Sequence, residues 1–245
     1  MNFKHLAVAA AVSSATFSGA ALAELSGNVG VVSQYLFRGL AQSDGAAVQG
    51  GLDYAAESGF YVGTWASTIN FGGTGNLGDA GSTGAEVDVY LGYGGEAGSV
   101  AYDFGAIYYW YSEEDEFDQP DPSYNTAEIY GSLGFGPFTL GAYYAIGDYF
   151  GAVNADGSDA DGAYGFSGAL SLPLTEVLSF DVMVALHDGE GNEAFTPDGD
   201  GYIEYNVGLS AALENGFGMG FGLVATDIDD DDPKLIISGS YGFGL

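Results

Sequence analysis

From residue 24 onward, apolar and polar residues alternate in short bursts rather than at helical spacing. The stretch "AEVDVYLGYGG" at 85–95 shows the pattern, with Val87, Val89 and Leu91 on one parity and Glu86 and Asp88 on the other. A period of two describes a β-strand with one apolar face and one carboxylate face. In a soluble sandwich the valines would meet a core. In a membrane barrel they would meet lipid, and the carboxylates a wet interior. Twelve such segments are predicted, at 27–38, 46–56, 60–71, 85–95, 99–111, 124–134, 138–148, 163–172, 177–187, 202–213, 217–226 and 234–245. Each is close to the ~9–11 residues that a tilted strand needs to cross a bilayer.

The connections sort by parity. After even-numbered segments they are tight, as in "ESG" at 57–59, "GEAG" at 95–98, "FGP" at 135–137, "PLTE" at 173–176 and "ENG" at 214–216. After odd-numbered segments most are long: 72–84, 112–123, 149–162, 188–201 and 227–233. The first, "GLAQSDG" at 39–45, is shorter but polar. Short turns at one end and long loops at the other suit an outer-membrane barrel, and a soluble sandwich has no reason for them. The expectation is all-β: a single antiparallel transmembrane barrel of about twelve strands, with ten or fourteen as the fallback. It has short periplasmic turns and long acidic extracellular loops. Outward aromatics at Tyr54, Tyr93, Phe138, Phe217 and Phe243, and at Phe37 and Trp110 near the other end, would form two interfacial girdles.

Export follows from the first residues. Lys4 and His5 precede an apolar run from Leu6 to Phe17, and small residues end in Ala21-Leu22-Ala23. That order predicts a signal peptide over 1–23, cleaved to leave a barrel over 24–245 in the Gram-negative outer membrane. The run is too short for a spanning helix. The mature chain would keep only two bases, Arg38 and Lys234, against 34 Asp and Glu. Binding to a phosphate backbone runs on Lys and Arg, so nucleic acid is excluded as a partner. Cations, basic solutes or a simply repulsive surface remain. Apolar residues make up 47% of the chain and aromatics 15%, too much for acidic disorder. No Cys is present, so disulfides and thiolate chemistry are excluded.

Parity places Arg38 at the upper end of strand one, facing a lumen that also receives Asp53, Glu86, Asp88, Asp103, Glu128, Asp181 and Glu204. These eight are the expected pore-lining residues. Arg38 could set up a transverse field across a constriction, or satisfy carboxylates on neighbouring strands; both readings stay open. The carboxylates favour cations. Small inward residues, such as Gly141, Ala145, Gly165, Ser167, Gly218, Gly220 and Gly222, would leave room for solutes.

At 26–67, "SGNVGVVSQYLFRGLAQSDGAAVQGGLDYAAESGFYVGTWAS", the chain resembles the TorF family of outer-membrane porins. Ser33-Gln34-Tyr35, Phe37-Arg38-Gly39, Gln42-Ser43-Asp44 and Asp53-Tyr54 carry the likeness. Glu86 to Tyr90, Glu128 to Gly131 and Asp148 to Phe150 extend it. The resemblance implies a porin without a defined substrate. Barrels of this kind usually end on an aromatic residue, whereas this chain ends on Leu245 after Phe243.

The loop clusters at 112–121, 154–162, 188–201 and 226–233 are acidic, yet none fits the calcium-loop pattern of spaced carboxylates, glycine and closing Glu. Loosely held divalent cations, including bridges to lipopolysaccharide, are expected in place of a specific metal site. Catalysis is not expected, because the one mature histidine, His187, has inward parity and no G-x-S-x-G occurs. No cofactor is implied. The expected partners are outer-membrane lipid, the barrel assembly machinery and small solutes. The expected function is passive diffusion of small, preferentially cationic solutes. The runner-up is a non-conducting surface barrel whose loops bind cations or partners.

Overall fold

The structure is a computed structural model that describes residues 24–70, 83–112 and 124–245. The leader expected at 1–23 and most of the 112–121 cluster lie outside the described residues. In chain order the elements are β1 Glu24–Val32, β2 Leu36–Phe37, β3 Leu40–Ala41, β4 Ala47–Ala55, β5 Phe60–Asn70 and β6 Thr83–Ala97. Next come β7 Val100–Tyr111, β8 Thr126–Phe135, β9 Phe138–Ile146, β10 Asp148–Val153 and β11 Asp159–Asp161. The chain ends with β12 Tyr164–Pro173, β13 Leu178–Asp188, the short helix α1 Glu190–Glu193, β14 Tyr202–Ala212, β15 Phe217–Thr226 and β16 Lys234–Gly244.

Twelve of these strands close an antiparallel barrel in the order β1-β16-β15-β14-β13-β12-β9-β8-β7-β6-β5-β4. The seam is the pairing of β1 with β16, from Ser26 opposite Gly244 to Val32 opposite Ser238. Closure leaves no wall strand with an unpaired edge, which hydrocarbon requires. The remaining pairs, β2-β3 and β10-β11, are small hairpins within the loops. Both ends of the described chain lie at the tight-turn rim, where Glu24 faces Ala55 and Gly244 faces Ser26.

The outer wall carries the apolar parity throughout. Val48, Leu140, Phe166, Val207 and Ile237 are all exposed, with Leu140 at 56% and Phe166 at 58%. An apolar band encircling the molecule needs hydrocarbon, because water-soluble monomers rarely expose large contiguous apolar patches. Tyr54, Tyr93, Phe138, Phe217, Phe243 and Trp110 are exposed on this face, as the girdle reading expects.

The first strand departs from the sequence reading. The wall strand ends at Val32 rather than 38, and Ser33 makes the last ladder contacts, donating its N–H to the Ile237 carbonyl at 2.8 Å. From there the chain turns into the barrel. Phe37, expected in the outer girdle, is buried inside. The run Tyr35-Leu36-Phe37 is apolar without alternation, as suits a hairpin buried in the lumen on all sides.

Val207 sits mid-strand between Val182 and Leu223 on the lipid face. Val207→Arg should lower the unfolding free energy in phospholipid vesicles by about 2–4 kcal/mol, the cost of a midplane cation. Reversible denaturant unfolding of that variant against Val207→Ala would measure it. A loss below about 1 kcal/mol would place residue 207 off the lipid midplane.

Candidate functional site

Residues 33–46 form an inward loop closed at its base. The Gln42 N–H donates to the Tyr35 carbonyl at 2.8 Å, and the Asn70 N–H donates to the Gln42 carbonyl at 2.9 Å. The Ser43 hydroxyl accepts from the Tyr35 N–H at 2.8 Å and donates to the Gly45 carbonyl at 2.6 Å. Between them β2 and β3 pair Leu36 with Ala41 and Phe37 with Leu40. The two-residue turn at the tip is Arg38-Gly39, with φ +54° and +80°. Two positive φ values suit the tight hairpin turn that matches strand twist. For an arginine that conformation costs about 1–2 kcal/mol. Gly39 has a second constraint, since a Cβ there would lie 2.6 Å from Thr226 Cγ2.

The turn aims Arg38 at the opposite wall. Its guanidinium binds the Glu128 carboxylate with both nitrogens, Nη1 to Oε1 at 2.8 Å and Nη2 to Oε2 at 2.7 Å. Nη1 also donates to the Tyr149 hydroxyl at 2.8 Å, and Cζ lies over the Tyr143 ring, 3.2 Å from its centroid. Tyr109 donates to Glu128 Oε2 at 3.1 Å, and Tyr202 donates to the Arg38 carbonyl at 3.0 Å. Burial pushes the Arg38 guanidinium down, but the adjoining Glu128 carboxylate together with Tyr143 and Tyr149 holds Arg38 above its ordinary value. Burial likewise keeps the Tyr149 phenol above its usual range.

A second set of contacts extends the layer around the wall. Asn192 in α1 accepts from Tyr149 at 2.9 Å and donates to the Asp188 and Tyr164 carbonyls at 2.8 and 3.0 Å. The Tyr143 hydroxyl meets His187 Nδ1 at 3.0 Å, and His187 Nε2 meets Glu204 Oε2 at 3.1 Å. Tyr35 donates to Glu86 Oε1 at 3.0 Å. Together the hairpin, the Tyr149 loop and α1 form a stopper across the loop end of the barrel.

The eight residues read from sequence therefore fall into two groups. Arg38, Glu86, Asp88, Glu128 and Glu204 are buried in the stopper. Asp53, Asp103 and Asp181 lie nearer the tight-turn rim and are half-buried. There Tyr90 donates to Asp53, Tyr61 donates to Asp103 at 3.0 Å, and Ser171 and Ser210 both donate to Asp181 at 2.6 Å. Arg38 is not on strand one, as its parity suggested, but on the hairpin tip. The small inward residues divide in the same way. Gly165 does not leave space, because Tyr143 fills it: a Cβ at 165 would lie 2.3 Å from that ring. Ala145 is packed within the stopper. Gly220 and Gly222, nearer the other end, do border open space.

That space is an inner cavity of about 230 Å³ against the Gly- and Ser-rich arc of β12 to β16, bordered by Tyr35, Leu36, Asp181, Asn206 and Ser238. A second cavity of about 410 Å³ opens on the loop side, bordered by Phe37, Arg38, Leu40, Tyr149 and Lys234. Leu36 borders one and Phe37 and Arg38 the other, so the hairpin lies between the two cavities. Among the described residues no cluster of His, Asp and Glu is arranged to hold a metal ion.

Residues 16–235 match the model of a family described as "Bacterial protein of unknown function (Gcw_chp)". The chain belongs to that family. No curated protein matches it. Among solved structures, the KdgM porin in complex with disordered oligogalacturonate aligns over 89% of this chain and 99% of its own, with a TM-score of 0.56 and 12% identity. The COG4313 outer membrane channel from Pseudomonas putida F1 aligns over 96% and 100%, with a TM-score of 0.55 and 11% identity. At these identities the likeness is one of fold: this Gcw_chp chain shares a closed porin-type barrel.

Sequence reasoning missed the aromatic members of this Gcw_chp site, namely Tyr35, Tyr109, Tyr143, Tyr149 and Tyr202. One local signal was available. In "YLFRGLAQ" the Arg-Gly pair sits between apolar residues like a two-residue hairpin turn, which would have ended the wall strand before Tyr35. The tyrosines come from separate strands and loops, and only closure brings them together.

Arg38→Met would leave Glu128 buried without its cation and should cost about 3–5 kcal/mol. Adding Glu128→Gln should recover most of that loss, because the buried charge is then gone. Thermal unfolding in detergent, run as a double-variant cycle, distinguishes this from a loss under about 1 kcal/mol, which would describe a weak surface pair.

Proposed function

We propose that the protein is an outer-membrane channel for passive diffusion of small solutes, with a preference for cations and with the Arg38 hairpin as its constriction. The observation that carries this reading is the pair of cavities on opposite sides of one hairpin inside a closed porin-type barrel. A barrel built only as a surface scaffold has no use for a chamber on each side of such a stopper. Asp181 and Asn206 border the inner chamber, and Asn206 Oδ1 has no hydrogen-bond partner among the described residues. Buried acceptors are normally satisfied, so a polar atom left open suits a hydrated passage. Carboxylates at Asp53, Asp103 and Asp181, with no base beside them among the described residues, favour cations over anions. The eight inward residues named from sequence then serve two purposes, five in the constriction and three along the passage.

The same reading has the leader cleaved after Ala23, delivery to the Gram-negative outer membrane by the barrel assembly machinery, and acidic loops that hold divalent cations loosely beside lipopolysaccharide. The TorF resemblance at 26–67 supports it. No catalytic role is proposed, since His187, the only mature histidine, is bound on both sides by Tyr143 and Glu204. A second reading, a non-conducting barrel, draws on the saturation of Arg38. A guanidinium with a bidentate carboxylate partner and a stacked ring is well anchored.

Planar-bilayer recording separates the two. The unmodified barrel should show small, discrete steps that favour K⁺ over Cl⁻, and replacing Leu36–Ala41 by two glycines should enlarge them several-fold. Silence from both proteins would establish the non-conducting reading, and Cl⁻ preference would overturn the cation reading.

A further inference from the structure

The outer chamber carries chemistry that the passage of solutes alone does not call for. Its walls are rich in aromatic residues, with Phe37, Tyr111, Tyr149, Phe150 and Phe195 among them. Phe150 is the hub, its ring centroid 5.4 Å from Phe37, 4.7 Å from Tyr149 and 6.0 Å from Tyr111 in edge-to-face arrangements. At about 410 Å³ the chamber is in the range of small-molecule sites, roughly 300–1,000 Å³.

Charge at this site decides what would enter. Arg38 and Lys234, the two bases outside the leader, both border the chamber, which at first suggests an anion. Each base is already matched, however: Arg38 by Glu128 in a buried bidentate pair, and Lys234 by Asp231. An anion would have to compete with a carboxylate that is held in place. Asp229 and Asp230 also border the chamber, are exposed, and have no hydrogen-bond or ion-pair partner among the described residues. A guest therefore meets aromatic surface beneath unmatched negative charge. Ring faces attract cations through their quadrupole, most strongly when water is partly excluded.

The geometry points to the outer chamber as a binding site for a small organic cation, such as a quaternary ammonium, with the aromatic cluster under its alkyl groups and Asp229 and Asp230 beside its charge. This deepens the channel reading by naming a solute class, and rests on it for the route the solute takes. Binding itself does not require conduction.

Calorimetry on the detergent-solubilised protein tests it, with choline as the probe and its neutral isostere 3,3-dimethylbutan-1-ol and the sugar maltose as comparisons. Choline should bind about tenfold more tightly than the isostere, the scale of one desolvated cation–π contact. Asp229→Asn with Asp230→Asn, and separately Phe195→Leu, should each weaken choline several-fold while the β-sheet circular dichroism is kept. Equal binding of choline and its isostere would reduce the chamber to an apolar pocket and overturn the proposal. So would choline binding that is indifferent to both sets of variants, preference for maltose, or no binding at all. A protein that conducts but does not bind choline sinks only the site. One that binds choline but does not conduct sinks only the channel.

Discussion

Everything in this molecule follows from the requirement that backbone N–H and C=O groups be paired where water is absent. The β1–β16 seam meets it by closing the sheet, so no wall edge is left open. Closure then fixes what each parity means. One set of side chains faces hydrocarbon, and the other is committed to an interior that must be filled with side chains or with water. Both outcomes occur here, at different depths along the same strands.

The filled half depends on a single arginine. In a chain with 34 acidic residues, Arg38 is delivered by a tight turn to the one place where its charge is most needed, against Glu128 beneath a set of tyrosines. A buried ion pair is weak evidence for stability, since desolvation consumes most of its attraction. Its value here is positional: with five donors in a planar fork, the side chain registers the hairpin against one strand and one loop. The strained φ at residue 38 is tolerated because the surrounding contacts over-determine it. The open half is the reverse case. Gly208, Gly220 and Gly222 withhold side chains from one arc of the wall, and a chamber results.

The barrel was legible from sequence to a degree that follows from the physics. Hydrocarbon on one side and a polar interior on the other impose period two with few exceptions, and the loop lengths report which rim is which. Eleven of the twelve predicted segments lie within about three residues of their strands at either end, within the usual boundary error. The exception is instructive. Residues 33–38 read Ser-Gln-Tyr-Leu-Phe-Arg, where the alternation breaks, and Tyr35 to Arg38 are all buried in the lumen instead of facing two solvents in turn. The interior was legible only as parity. That Glu86, Glu128 and Arg38 point inward could be read, but whether they meet water or one another depends on which loops fold in. The 149–162 loop and α1, which supply Tyr149 and Asn192, have no periodicity to announce that role.

The division of the lumen is the claim with the widest consequences, and it can be tested one residue at a time. The chain lacks cysteine, so single cysteines can be placed at small inward positions at two depths: Ala145 and Ala185 in the filled half, Ser132 and Ser238 in the open half. The decisive measurement is the rate at which a cationic, water-soluble methanethiosulfonate modifies each of them in lipid vesicles. Fast reaction at 132 and 238 with very slow reaction at 145 and 185 is the predicted result. Equal, fast reaction at all four would mean an undivided, water-filled lumen and would contradict the account.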